Sequence, residues 1–151
     1  MAINIGRKVT AVITGLITSL GIIILGWMIS TKAPFSSPAQ MEYVTHGDLV
    51  NYANAAPPLY WAIGLITYGV AGFAGGFITT KMSRRWTTGG YGLSMLTAGI
   101  LTIFAIAAYA YWPGPLWFLA GTVLLFIPTA ALGHRLAEGP HHHHVPETSR
   151  V

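Results

Sequence analysis

The sequence has no cysteine, which excludes disulfides, thiolate catalysis and iron–sulfur ligation. It is almost as poor in charge. Asp, Glu, Lys and Arg make up 8% of its 151 residues, against about 25% in soluble domains. A water-facing surface cannot be assembled from so few charges, so the natural solvent for most of this chain is lipid. Acidic residues are scarcest, four against eight Lys and Arg, which leaves a net charge of +4. A basic balance raises nucleic acid as a partner, but the basic residues are not gathered into a groove. They flank apolar runs, as Arg7 with Lys8, Lys81 with Arg84 and Arg85, and Arg135. That is membrane-flank placement, and no nucleic-acid partner is expected.

What is abundant is apolar sequence, 53% of the chain. A bilayer core takes about 20 apolar residues of helix. Residues 9–31 carry no charge and form the first expected span. A secretory signal is the rival reading, with Arg7 and Lys8 as its basic leader, but a signal core runs only about 7–15 residues. Pro57 and Pro58 open the second span, at 57–80, because proline suits a first helical turn whose N–H is unpaired anyway. Residues 81–85 form a short basic loop. The uncharged stretch from Trp86 to Gly133 is long enough for two spans, and Trp112-Pro113-Gly114-Pro115 breaks it. The third span is expected at 89–111 and the fourth at 116–133. The fold class is thus all-α, one transmembrane domain at 1–138 arranged as a four-helix bundle.

Short-loop Lys and Arg set the orientation. Arg7, Lys8, Lys81, Arg84, Arg85 and Arg135 fall on one side and only Lys32 on the other, so both termini are expected in the cytoplasm. Aromatic residues fit the frame. Trp27, Tyr60, Trp61, Tyr111, Trp112 and Trp117 sit at the outer ends of the spans and Trp86 at the inner end. Trp61, Trp86, Trp112 and Trp117 are the expected headgroup-level anchors. The expected location is the bacterial inner membrane.

Two polar segments remain. Residues 32–57 form an outer loop in which Ser37-Pro38 and Asp48 are helix-start signals, so a short interfacial helix is expected. Glu42, His46 and Asp48 offer nitrogen and oxygen ligands there, with a solvated cap as the competing reading. Residues 139–151 form a polar cytoplasmic tail containing His141, His142, His143 and His144, the weak metal-ligand candidates of the sequence. Ordinary polar surface competes with that reading too.

Ionisable groups within spans mark proton relays, ion paths and cofactor ligands, since they are costly there. None stands at mid-depth; His134 and Arg135 come at the inner end of the fourth span. No catalytic residue, resident metal or cofactor is therefore assigned. Small residues are plentiful instead. Gly72 and Gly76 make a GxxxG pattern beside Gly69 and Gly75, Gly15 and Ser19 make a small-xxx-small pair, and Gly92 and Gly99 add small surface on the third helix. Such residues let helix backbones approach closely. Pro128 interrupts the fourth span and frees a carbonyl near Leu124, for which the hydroxyls of Thr122 and Thr129 are local candidates.

An acidic residue before a proline pair (Asp48, Pro57-Pro58), the glycine-rich stretch Gly69 to Gly76 with basic residues behind it, Pro115 with Trp117-Phe118, and Pro128 with Ala130 and Gly133 carry a resemblance over residues 8–137. The chain resembles a group of small, uncharacterised bacterial four-helix integral membrane proteins. The resemblance implies the topology and no reaction.

Three functions follow as expectations. The first is a non-catalytic accessory subunit packing against a larger membrane complex, of a respiratory or photosynthetic kind, with the lipid bilayer and other membrane subunits or further copies of itself as partners. The second is a small homo-oligomeric transporter or channel, with Thr67, Tyr68 and Thr102 facing a pore. The third is a membrane enzyme acting on a lipophilic substrate, for which only Arg84, Arg85, Arg135 and Glu138 are in reach of an inner-face site.

Overall fold

The computed structural model describes residues 2–30, 47, 51, 56–84, 90–111 and 114–139. The expected interfacial helix, Glu42, His46, Asp48, Trp86, Trp112 and the His141–His144 tract lie outside the described residues, apart from Gly47 and Asn51 in the outer loop. Four long helices are present among those residues: α1 (Ala2–Ser30), α2 (Pro58–Arg84), α3 (Gly90–Tyr111) and α4 (Leu116–Glu138). Each is long and apolar enough to cross a membrane, over Ile5–Ser30, Pro58–Ser83, Gly90–Tyr111 and Leu116–Glu138.

Proline punctuates the chain as its chemistry dictates. Pro58 is the first residue of α2, and the Tyr60 amide donates to the Pro57 carbonyl at 3.0 Å. Pro115 stands before α4 in an extended conformation (φ −59°, ψ 138°), and the Phe118 amide donates to its carbonyl at 2.9 Å. Tyr109 closes the α3–α4 turn by donating its hydroxyl to the Gly114 carbonyl at 2.6 Å. Three helices outrun their apolar runs, and α2 is helical through Lys81 to Arg84, where a loop at 81–85 was expected. Helix α1 begins ahead of Arg7 and Lys8. Helix α4 continues through His134 and Arg135 to Glu138, where Arg135 complements the negative helix end. It stops at Gly139, whose φ of 68° is the left-handed geometry that glycine adopts without penalty.

The helices alternate in direction. Gly15 of α1 faces Gly75 and Thr79 of α2, whereas Gly26 faces Thr67, an antiparallel pair. Helices α2 and α4 run parallel at a fixed offset: Gly64 meets Phe118, Gly72 meets Phe126, Gly76 meets Ala130, and Thr80 meets His134, 54 residues apart in every case. Helix α2 packs on all three others, while α1 and α4 do not touch. The basic residues Arg7, Lys8, Lys81 and Arg135 consequently share one end of the bundle, here the basic end. Trp27, Tyr60, Trp61, Tyr111 and Trp117 share the other, the aromatic end.

The distribution of side chains is that of a lipid-solvated protein. Ser19, Thr79, Thr80, Ser83, Ser94, Thr97 and Thr122 are among the most deeply buried side chains, with Phe126 and Leu101. Large aliphatics point outward, Ile66 at 67%, Ile103 at 69% and Leu124 at 72% exposure. Lipid tails solvate such groups as well as a protein core does, so they contribute little to helix association. Close approach and interhelical hydrogen bonds carry it instead.

Candidate functional site

Among the residues expected to pack helices, the structure separates two groups. Gly15, Ser19 and Gly75 form one seam between α1 and α2. Ser19 donates its hydroxyl to the Ala71 carbonyl at 2.8 Å across the interface, and also lies 3.0 Å from the Gly15 carbonyl on its own helix. A side chain at Gly75 would collide with the Ser19 hydroxyl, and one at Gly15 would meet Thr79 and the Gly75 carbonyl. Gly72 and Gly76 form the second seam, toward α4. A Cβ on Gly76 would stand 2.5 Å from the Ala130 carbonyl oxygen and 2.8 Å from its Cα. Gly69 is looser, 3.8 Å from Thr129. Gly92 and Gly99 stand apart from both seams: they are exposed on α3, with nothing within 4 Å of where a Cβ would sit. Gly133, which sequence reasoning did not single out for packing, makes the tightest contact against backbone. Its missing Cβ makes room for the Phe73 carbonyl and the Phe77 amide, backbone atoms that cannot rotate away.

Thr122 and Thr129 do not serve Pro128 as expected. Thr129 donates to the Leu125 carbonyl at 2.6 Å, with the Phe126 carbonyl at 3.3 Å, and Thr122 donates to the Phe118 carbonyl at 2.8 Å. A hydroxyl in a helix reaches back three or four residues, which puts Leu124 out of range of both.

The anchors also divide. Trp117 is half exposed at the aromatic end. Trp61 is not: it is 7% exposed and turned into the protein. Its ring lies 5.1 Å from that of Tyr60, edge-on, and 4.9 Å from that of Phe118. Glycine at position 114 permits this, because a Cβ there would stand 3.0 Å from two carbons of the Trp61 ring. Beside this cluster lies a cavity of about 120 Å³ between α2, α3 and α4.

At the basic end the structure assembles a group that the sequence did not reveal. Thr80 Oγ1 lies 3.0 Å from His134 Nδ1, His134 Nε2 lies 3.4 Å from Glu138 Oε2, and the Tyr91 ring closes on the imidazole edge-on at 5.1 Å. The carboxylate facing Nε2 favours the proton on that nitrogen, so Thr80 donates its hydroxyl to Nδ1. Hydroxyl, imidazole and carboxylate in this order are the parts of a nucleophile activated by an oriented base. Thr80 is 1% and His134 5% exposed, and the Glu138 side chain is 38% exposed. The group acts as a clasp between α2 and α4. At the adjacent position on α2, Thr79 lies 3.1 Å from Thr97, Oγ1 to Oγ1. Thr97 spends its proton on the Leu93 carbonyl, so Thr79 donates to Thr97 and ties in α3. Ser94 of α3 donates to the Ala130 carbonyl of α4 at 3.2 Å. His134 and Glu138 stand at i,i+4 spacing and were visible as neighbours in the sequence. Thr80, on another helix, carried no such signal.

Comparison with known protein families, curated proteins and solved structures gives no match to this chain.

Proposed function

We propose that this chain is a non-catalytic accessory subunit of a bacterial inner-membrane complex, with both termini cytoplasmic, which docks on helices of another membrane protein through the outer face of α3. The observation that carries this reading is the pair Gly92 and Gly99. The seam glycines Gly15, Gly72, Gly75, Gly76 and Gly133 are already filled by a neighbouring helix. Gly92 and Gly99 are open, and at seven residues apart they differ by only about 20° around the helix. Leu96, between them, is half exposed. The α3 backbone beside Leu96 is thus open toward the outside, where small residues let a partner helix approach.

The orientation rests on charge. Arg7, Lys8, Lys81 and Arg135 share one end of the bundle, and the positive-inside rule assigns such an end to the cytoplasm. The non-catalytic reading is supported by the burial of Thr80 and His134. Extraction of the chain from its native membrane in mild detergent, with sizing and mass spectrometry, tests the proposal. Co-migration with larger membrane subunits is expected. Migration alone, at the size of a monomer or a homo-oligomer, overturns it and favours the homo-oligomeric transporter or channel.

A further inference from the structure

The cavity at the aromatic end has walls of a specific chemistry. Trp61, Tyr68 and Phe118 supply aromatic rings, and Ala105 of α3 supplies a small side chain that keeps the space open. Tyr68 stands edge-on to Phe118 and to Phe126, at 5.8 Å in each case. The hydrogen-bonding capacity of this lining is unevenly spent. Tyr109 donates to Gly114 at 2.6 Å and Thr122 donates to Phe118 at 2.8 Å, so both hydroxyl protons are used. The Trp61 indole N–H is buried and has no acceptor among the described residues. The Tyr68 hydroxyl belongs to the same lining. Indole nitrogen is a donor only, so what it lacks is an acceptor. A buried donor without an acceptor is costly, and buried Trp and Tyr normally find one.

We infer that this cavity is a binding site for a lipophilic molecule bearing a single planar, uncharged ring with carbonyl acceptors, that is, a quinone-type ring on an apolar tail. Size, walls and donors each select it. About 120 Å³ is close to the roughly 150 Å³ of an apolar cavity that holds one benzene, so one six-membered ring fits. Aromatic walls favour a planar ring over a saturated chain, through edge-on and offset contacts. A buried indole donor without an acceptor, with the Tyr68 hydroxyl in the same lining, suits a ring with carbonyl oxygens, and among the described residues no charged side chain lines the cavity to hold an ion. Trp61 lies in the first turn of α2 and Tyr68 two turns further, about 10 Å along the axis. A ring can therefore enter from the edge of the bilayer with its tail left among the lipids. The inference is independent of the docking face proposed on α3.

The test uses the full chain in phosphatidylcholine nanodiscs and 2,3-dimethyl-6-decyl-1,4-benzoquinone as probe. The quinone retained by loaded discs is compared with that in empty discs, by absorbance after extraction. One saturable site per chain is expected. Decylbenzene, with the same tail and a ring without carbonyls, is expected to compete poorly. Trp61→Phe keeps a ring and removes the N–H, and weakens binding about fivefold to tenfold, the equivalent of one neutral hydrogen bond. Ala105→Phe fills the space and abolishes binding. Circular dichroism reports whether each variant is folded. Tyr68→Phe, which removes a single oxygen, carries the test with a weakening of about threefold or more should either of the others fail to fold. Retention no greater than in empty discs overturns the inference. So does equal displacement by decylbenzene, which assigns the cavity to a lipid chain, and so does binding that folded variants leave unchanged.

Discussion

Thr80 and His134 join α2 to α4 at the basic end, Oγ1 to Nδ1 at 3.0 Å, with both side chains buried. One turn earlier on the same two helices Gly76 lies against Ala130. The close approach and the hydrogen bond depend on one another. The small residue brings the axes near enough for a threonine to reach an imidazole, and the bond fixes the register of the parallel pair.

Replacing Thr80 by valine keeps the volume and removes the hydroxyl. His134 Nδ1 is then buried without a partner, a change that costs about 1–3 kcal/mol. Thermal or denaturant unfolding in detergent should show Thr80→Val destabilised by that amount and Thr80→Ser close to the parent. Equal stability of Thr80→Val and the parent would show that the clasp contributes nothing.

The glycines should split by environment. Gly133→Ala places a methyl group against the Phe73 and Phe77 backbone, and Gly76→Ala places one against Ala130. Overpacking of this kind costs about 1–3 kcal/mol. Gly92→Ala and Gly99→Ala meet nothing within 4 Å, and gain up to about 1 kcal/mol from the better helix propensity of alanine. Melting temperatures of the isolated protein should fall for the first pair and hold or rise for the second.

The same outward pair should behave differently in the membrane of origin. Gly99→Ile leaves the isolated bundle folded but fills the open face of α3. Co-purification with larger subunits is expected to drop severalfold for Gly99→Ile while the melting temperature stays put. Undiminished co-purification removes α3 as the docking face.

Topology can be read without background labelling, since the chain has no cysteine. A membrane-impermeant maleimide should label Ser37→Cys in intact spheroplasts and Ser149→Cys only after permeabilisation. The reverse pattern inverts the proposed orientation.

The ends of the helices were largely legible in the sequence, since their signals are local. Pro57-Pro58 and Pro115 stand where α2 and α4 begin, and the expected break at Trp112–Pro115 falls between α3 and α4. Facing was not legible. In a soluble helix the polar stripe faces outward and marks the outside, but here the outside is lipid, so an apolar residue gives no sign of its facing and Ile66 and Ala71 read alike. Thus Gly72 and Gly99 were indistinguishable as letters, though one lies against Thr129 and Phe126 and the other against nothing. Trp61 carried the signature of a headgroup anchor. Gly114, more than fifty residues away, decided that it folds inward.

The sequence by itself determined the solvent, the helices and the chemistry that the spans lack, because hydropathy, proline and charge act over a few residues. Only the tertiary structure decided which small residues are seams and which are open. It alone brought Thr80 to His134 and shaped the Trp61 cavity. Those relations join residues on different helices, and they exist only when the backbones come close enough for single oxygens and nitrogens to meet.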